Sequence, residues 1–266
     1  MPEPVRPGWG LCENSGLEYY ESRPAEGLAL VFTTRRGGVS TGGYESLNLS
    51  LDAGDAPKAV GENYSRLRRG LGLPPLVTLK QVHSDKVLPV NYELTPPDLL
   101  EGDACYTCRP GIALAVKVAD CLAVYVFSKD GTCAGIAHCG WRGSATRIAE
   151  KLARQMAKRC SVPLVDLRFS LGPCVCPDCY VVGEDVRDRF REDFPAAERF
   201  FKPAPGSGRG SRFRLDIRAA NRWLLSEMGL TASPSLDMCS SENPGRFYSV
   251  RRDKTTGRNL GIIILR

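Results

Sequence analysis

The chain has only two histidines, His83 and His138, and each stands where an apolar run gives way to polar residues. His83 follows Leu76, Val77, Leu79 and Val82. His138 ends the apolar half of Cys133-Ala-Gly-Ile-Ala-His-Cys-Gly-Trp-Arg-Gly143, and Asp120 and Cys121 close Gly111-Ile-Ala-Leu-Ala-Val-Lys-Val-Ala-Asp-Cys121. Two imidazoles and one thiolate are the ligand set with which a catalytic zinc keeps a fourth position for water or substrate. Residues so far apart have no diagnostic spacing, however. Hydrogen-bonded histidines and a small buried thiol are equally compatible with the pattern. Without metal, a Cys121 thiolate activated by His138 would be a nucleophile.

Short strands must bring these side chains together. Leu122 to Phe127 is a further apolar run, and Ser128-Lys-Asp-Gly-Thr132 is a polar turn of the kind that reverses a strand, so Cys121 and His138 can lie side by side. After His138, Gly140 to Gly143 leads into Ala145 to Arg159, where Ile148, Leu152, Met156 and Cys160 share a helical face. A helix start carrying Arg142 suits an anion. The spacing of Val60, Tyr64, Leu67 and Leu71 predicts a helix over 56–72. Strands are expected at 28–32, 165–171, 213–217 and 261–265, and helices at 182–194 and 217–228. The basic and aromatic stretch 246–258 reads as a hairpin-like pair returning to the last strand. Strands mixed with about four helices and several strand-to-strand turns lack a regular βαβ rhythm, so the fold class is α+β.

Thr33 to Leu49, Lys80-Gln-Val-His83, Gly102-Asp-Ala104, Ala119-Asp-Cys121, Ala137 to Gly143, Leu171-Gly-Pro173 and Leu215-Asp-Ile217 together resemble the YfiH family, whose members have been called peptidoglycan editing factors, purine nucleoside phosphorylases and polyphenol-oxidase or laccase-domain proteins. The resemblance runs in order from about residue 25, so it divides the chain into a lead-in, 1–24, and a single catalytic domain, 25–266. It implies mixed sheets in α-β-β-α layers and zinc ligands at His83, Cys121 and His138. It also puts the 33–50 loop at the active site, making Arg35 and Asn48 substrate-contact candidates beside Asp103 and Arg142. Asp120 or Asp103 would move protons.

The implied activity is zinc-dependent phosphorolysis of adenosine, inosine or methylthioadenosine, with deamination of adenosine. Rivals are amide hydrolysis of a peptidoglycan precursor, metal-free Cys-His catalysis and a non-catalytic nucleotide-binding module. A multicopper oxidase is excluded by the histidine count, because imidazole-bound copper clusters need many more than two.

Composition bounds the rest. A chain of 266 residues that is 42% hydrophobic can bury a full core. Its charge of +6 is mild and scattered, which suits a small anionic substrate such as phosphate as well as nucleic acid and decides little, and it is the compact form expected of 246–258 that argues against nucleic acid as partner. No run approaches membrane-spanning length, the first residues lack a signal-peptide pattern, and eleven cysteines in so large a chain read as reduced thiols of a cytoplasmic protein. Cys174, Cys176 and Cys179 invite a structural zinc. With only three local thiols and no spare histidine, they read as loop thiols instead. The sequence sets no oligomeric state.

Overall fold

The computed structural model describes residues 5–91, 100–205 and 212–266. In chain order the elements begin with β1 (Arg6–Asn14), β2 (Leu17–Ala25), β3 (Leu28–Thr33), α1 (Pro57–Leu71), β4 (Leu76–Thr78), β5 (Val87–Pro89), β6 (Ala104–Thr107), β7 (Ile112–Val118), β8 (Leu122–Ser128) and β9 (Ala134–Cys139). They continue with α2 (Trp141–Ala145), α3 (Ile148–Arg159), β10 (Leu167–Leu171), β11 (Val181–Gly183), α4 (Glu184–Asp193), β12 (Phe201–Pro203), β13 (Arg212–Leu215), α5 (Ile217–Glu227), β14 (Thr231–Ala232) and β15 (Asn259–Leu265).

Two six-stranded mixed sheets carry the molecule, ordered β1-β2-β3-β15-β7-β4 and β14-β10-β8-β9-β6-β5. A small sheet, β11-β13-β12, lies apart from them. Their central strands read as unbroken apolar runs because both faces are covered. In β8, Ala123, Tyr125 and Phe127 join the buried cluster between the sheets with Leu30, Phe32, Leu114 and Ile263, while Leu122, Val124 and Val126 point the other way. There they pack with Leu152 and Met156 of α3 and Leu224 of α5. On the outer face of the first sheet, Leu67 of α1 packs with Val31, Ala113, Ala115 and Ile262. The result is helix, sheet, sheet, helix, as the α-β-β-α expectation requires.

Several local expectations need correction. Residues 6–24 of the expected lead-in form β1 and all but the last residue of β2, an antiparallel pair continuing through β3 into the first sheet. The helix expected over 145–159 is two, broken at Arg147, whose φ of 59° is left-handed. Val165 lies outside β10 and is exposed, and Val182 belongs to β11, not to α4. The 246–258 segment forms no hairpin; β15 pairs instead with β3 and β7. The thiols are not all free, since Cys108 is disulfide-bonded to Cys160 across a 6.1 Å Cα separation. Most of the Pro-rich connection, 92–99, and of the Gly/Pro/Ser loop, 206–211, falls outside the described residues. Among those described, no helix is long and apolar enough to cross a membrane.

Candidate active site

One buried carboxylate assembles the two histidines. Asp103, at the mouth of β6, accepts hydrogen bonds from the amides of Val82 (3.2 Å), His83 (3.0 Å) and Ser84 (2.7 Å) and from Ser84 Oγ (2.9 Å), so it shapes the turn on which His83 rides at a φ of 59°. Its Oδ1 lies 2.9 Å from His138 Nδ1, and its carbonyl accepts from the His138 amide at 2.7 Å through the β6-β9 pairing. With Nδ1 engaged by a carboxylate, Nε2 of His138 is left for a ligand, the usual arrangement behind a metal-bound imidazole.

Cys121 arrives from the β7-β8 turn. There Asp120 takes a φ of 90° and directs its carboxylate away, to Ser240 Oγ (2.7 Å) and the Arg251 amide (2.7 Å). The donor atoms of His83, Cys121 and His138 all lie within 4.8 Å of one another, and the imidazole centroids are 5.0 Å apart. Gly140 borders this space. A Cβ there would stand 3.0 Å from Cys121 Sγ and 3.4 Å from His83 Cδ2.

Burial alone would push the Cys121 thiol up, but the charge of His138 and hydrogen bonds from both imidazoles bring it down to about 6. Burial opposes protonation of His138, yet the Cys121 and Asp103 charges raise it to about 9. Burial likewise disfavours a charged Asp103; the hydrogen bonds from His138 and Ser84 more than offset it and hold the carboxyl at about 2.

The trio opens on a cleft of about 510 Å³. Lys117, Arg142, Arg251 and Arg258 line it, against the carboxylates of Asp52 and Asp120. The Arg142 guanidinium stacks over Trp141 at 4.3 Å and that of Arg251 over Tyr180 at 4.7 Å, so two cations come with aromatic faces attached.

Of the residues singled out by sequence, His83, Cys121, His138, Asp120 and Arg142 line this cleft, and Asp103 stands directly behind it. Arg35 and Asn48 do not line it. Arg35 donates to the carbonyls of Glu45 and Pro244 and lies over Tyr248. Asn48 is buried, donating to Ser50 O and Asp55 and accepting from the amides of Ser50 and Arg258. Both tie the loop to the C-terminal segment. Sequence reasoning missed Lys117, Tyr180, Arg251 and Arg258. The signal for the two arginines was the basic and aromatic stretch 246–258, whose cations it assigned to no site.

The structure is thus a four-layer α+β fold with a His-Cys-His cluster at the floor of a basic cleft. The chain belongs to the family described as multi-copper polyphenol oxidoreductase laccase, which matches residues 29–266. It is 37% identical over 242 residues to a purine nucleoside phosphorylase of Pseudomonas aeruginosa, covering 91% of this chain and 95% of that protein. Against the Escherichia coli purine nucleoside phosphorylase YfiH it is 36% identical, with 90% and 95% covered. Among solved structures, a Neisseria meningitidis protein aligns with a TM-score of 0.83 at 33% identity over 97% of this chain and 99% of the other. YlmD from Geobacillus stearothermophilus also gives 0.83, at 30% identity over 96% and 98%.

The family description raises copper, and the donor set decides what fits. Three convergent donors beside a glycine that leaves space over the sulfur suit a single ion. Two histidines in the whole chain do not suit a copper cluster.

Proposed function

We propose that this chain is a zinc-dependent purine nucleoside phosphorylase acting on adenosine, inosine or methylthioadenosine, and that the same cleft deaminates adenosine. The observation that carries the reading is the convergence of His83, Cys121 and His138 at the floor of a cleft lined with arginines. Bound by these three residues, zinc supplies a Lewis acid and lowers the pKa of coordinated water.

The chain's own residues do the rest. Asp103 fixes the His138 ring and the His83 turn. Arg142 and Arg251 hold phosphate, and the Trp141 and Tyr180 rings offer apolar faces to the purine. In phosphorolysis a phosphate oxygen bonds to the anomeric carbon, the glycosidic bond breaks and a proton reaches the departing purine. In deamination water adds at C6 and ammonia leaves. We assign proton transfer to Asp120, which lines the cleft while its two oxygens accept from Ser240 Oγ and the Arg251 amide, so that it would exchange a proton through the Ser240 hydroxyl or solvent in the cleft. The compartment proposed is the cytoplasm, where free phosphate and nucleosides meet.

The test is product analysis of zinc-loaded protein with adenosine, with and without phosphate. Ribose 1-phosphate and adenine are expected only with phosphate, inosine and ammonia in both cases, and His138→Ala should abolish both. Absence of all these products would overturn the reading. A second reading, a metal-free Cys121 nucleophile, is favoured by the lowered thiol alone. Full activity after complete chelation of metal would select it.

A further inference from the structure

Four side chains outside the cleft converge without a part in the chemistry above. Cys176 and Cys179 belong to the short turn after β10, and Cys239 and Glu242 to the irregular segment after β14, each 63 residues beyond its counterpart. Their sulfur and carboxylate atoms all lie within 4.8 Å of one another. The chain delivers them as two pairs of equal spacing, Cys176-Pro-Asp-Cys179 and Cys239-Ser-Ser-Glu242. A three-residue step of this kind lets one tight turn present two ligands to the same point, and two such turns facing each other enclose it.

We infer that Cys176, Cys179, Cys239 and Glu242 form a second metal site, closed and structural, that takes zinc or another thiophilic divalent cation. All four ligands come from the protein, which distinguishes it from the open trio. An amide already points at one sulfur: Cys176 N–H donates to Cys239 Sγ at 3.3 Å, a contact that favours a thiolate there. Soft sulfur donors select zinc over magnesium or calcium. A disulfide explains less, because three mutually close thiols would leave one over and give Glu242 no role. In the structure all three are free thiols.

The site clamps the turn to the C-terminal segment. Around it, Cys174 N–H donates to Met238 O and Ser240 N–H to Cys174 O, while Arg252, ion-paired with Asp253, donates to the carbonyls of Ser240 and Ser241 and braces the backbone between Cys239 and Glu242. The clamp stands behind the cleft, since Ser240 Oγ and the Val175 amide both donate to Asp120. Its role is therefore positioning.

The test removes the trio first. His83→Ala/His138→Ala protein, purified under reducing conditions, should retain about one zinc per chain. Replacement of that zinc by cobalt(II) should give the near-ultraviolet charge-transfer absorption of several thiolates, and adding Cys239→Ser should remove metal and absorption together. Should the triple variant not fold, alkylation of the unaltered protein gives the same answer. Mapped peptide by peptide, Cys176, Cys179 and Cys239 should be protected together and become reactive together when a chelator strips the metal, with Cys121 read separately. Zinc near zero in the double variant, alkylation of these three at one rate with and without chelator, or a disulfide among them in the unreduced protein would each overturn the inference. None of these readouts depends on which reaction the cleft performs.

Discussion

Asp103 bears on three things at once: the His83 turn, the His138 ring and the β6-β9 register. Asparagine keeps its shape but replaces one accepting oxygen with a donor that faces amides or the His138 Nδ1–H. Asp103→Asn should therefore weaken zinc binding at the trio by about 10- to 100-fold, measured by competition with a chromophoric chelator. Unchanged affinity would show that the histidines are held by packing alone. Arg142 carries a different expectation. Arg142→Ala should cost about 1.5–3 kcal/mol of phosphate binding, seen as a raised phosphate KM, and should impair phosphorolysis more than deamination, which needs no phosphate. Lysine should rescue only in part, since it restores the charge without the planar fork. Equal loss of both activities would detach Arg142 from phosphate. His83, Cys121 and His138 stood out as candidates because each lies where an apolar run breaks off, but their spacing left other roles open and it was the family resemblance that implied them as a ligand set. Arg251 and Cys239 did not stand out, because each lies in irregular backbone, where no period says which way a side chain faces.

The elements differ in how openly they announce themselves. Strands β7, β8 and β15 and helix α1 follow from apolar runs and from the Val60 and Leu67 stripe. The break between α2 and α3 does not, since Arg147 adopts a left-handed φ with no glycine to signal it. The β1-β2 hairpin was hidden for another reason. Polar residues such as Glu21 and Arg23, ion-paired at 2.9 Å, interrupt the apolar pattern of β2, and Pro and Gly in the edge strand β1 disguise a strand. Gly261 in β15 marks a close approach of the two sheets: a Cβ there would stand 2.8 Å from Ala123 Cβ and 2.9 Å from Tyr125 Oη, whose hydroxyl donates to Val31 O. Gly261→Ala should destabilise the fold by about 1–3 kcal/mol, read as a lower urea midpoint with unchanged slope. A midpoint equal to the parent's would mean the sheets part without strain.

At the scale of the whole molecule, the cleft exists because the two sheets end together. Lys117 from β7 of one sheet and His138 from β9 of the other reach it, and the segment before β15 adds Arg251 and Arg258. The layered arrangement was expected from the family resemblance and the α+β class from the element pattern. The sheet orders were beyond both, because pairing partners far apart in sequence leave no local trace. Strand β15 lies between β3 and β7, pairing antiparallel with each, although every other strand precedes it in the chain. On the ribosome, neither β3 nor β7 can complete its pairing on that side until the segment that forms β15 has been translated. A stop codon just upstream of Asn259 would release a chain with two long apolar edges exposed at its centre, a substrate for chaperones and proteases instead of a slightly shortened enzyme.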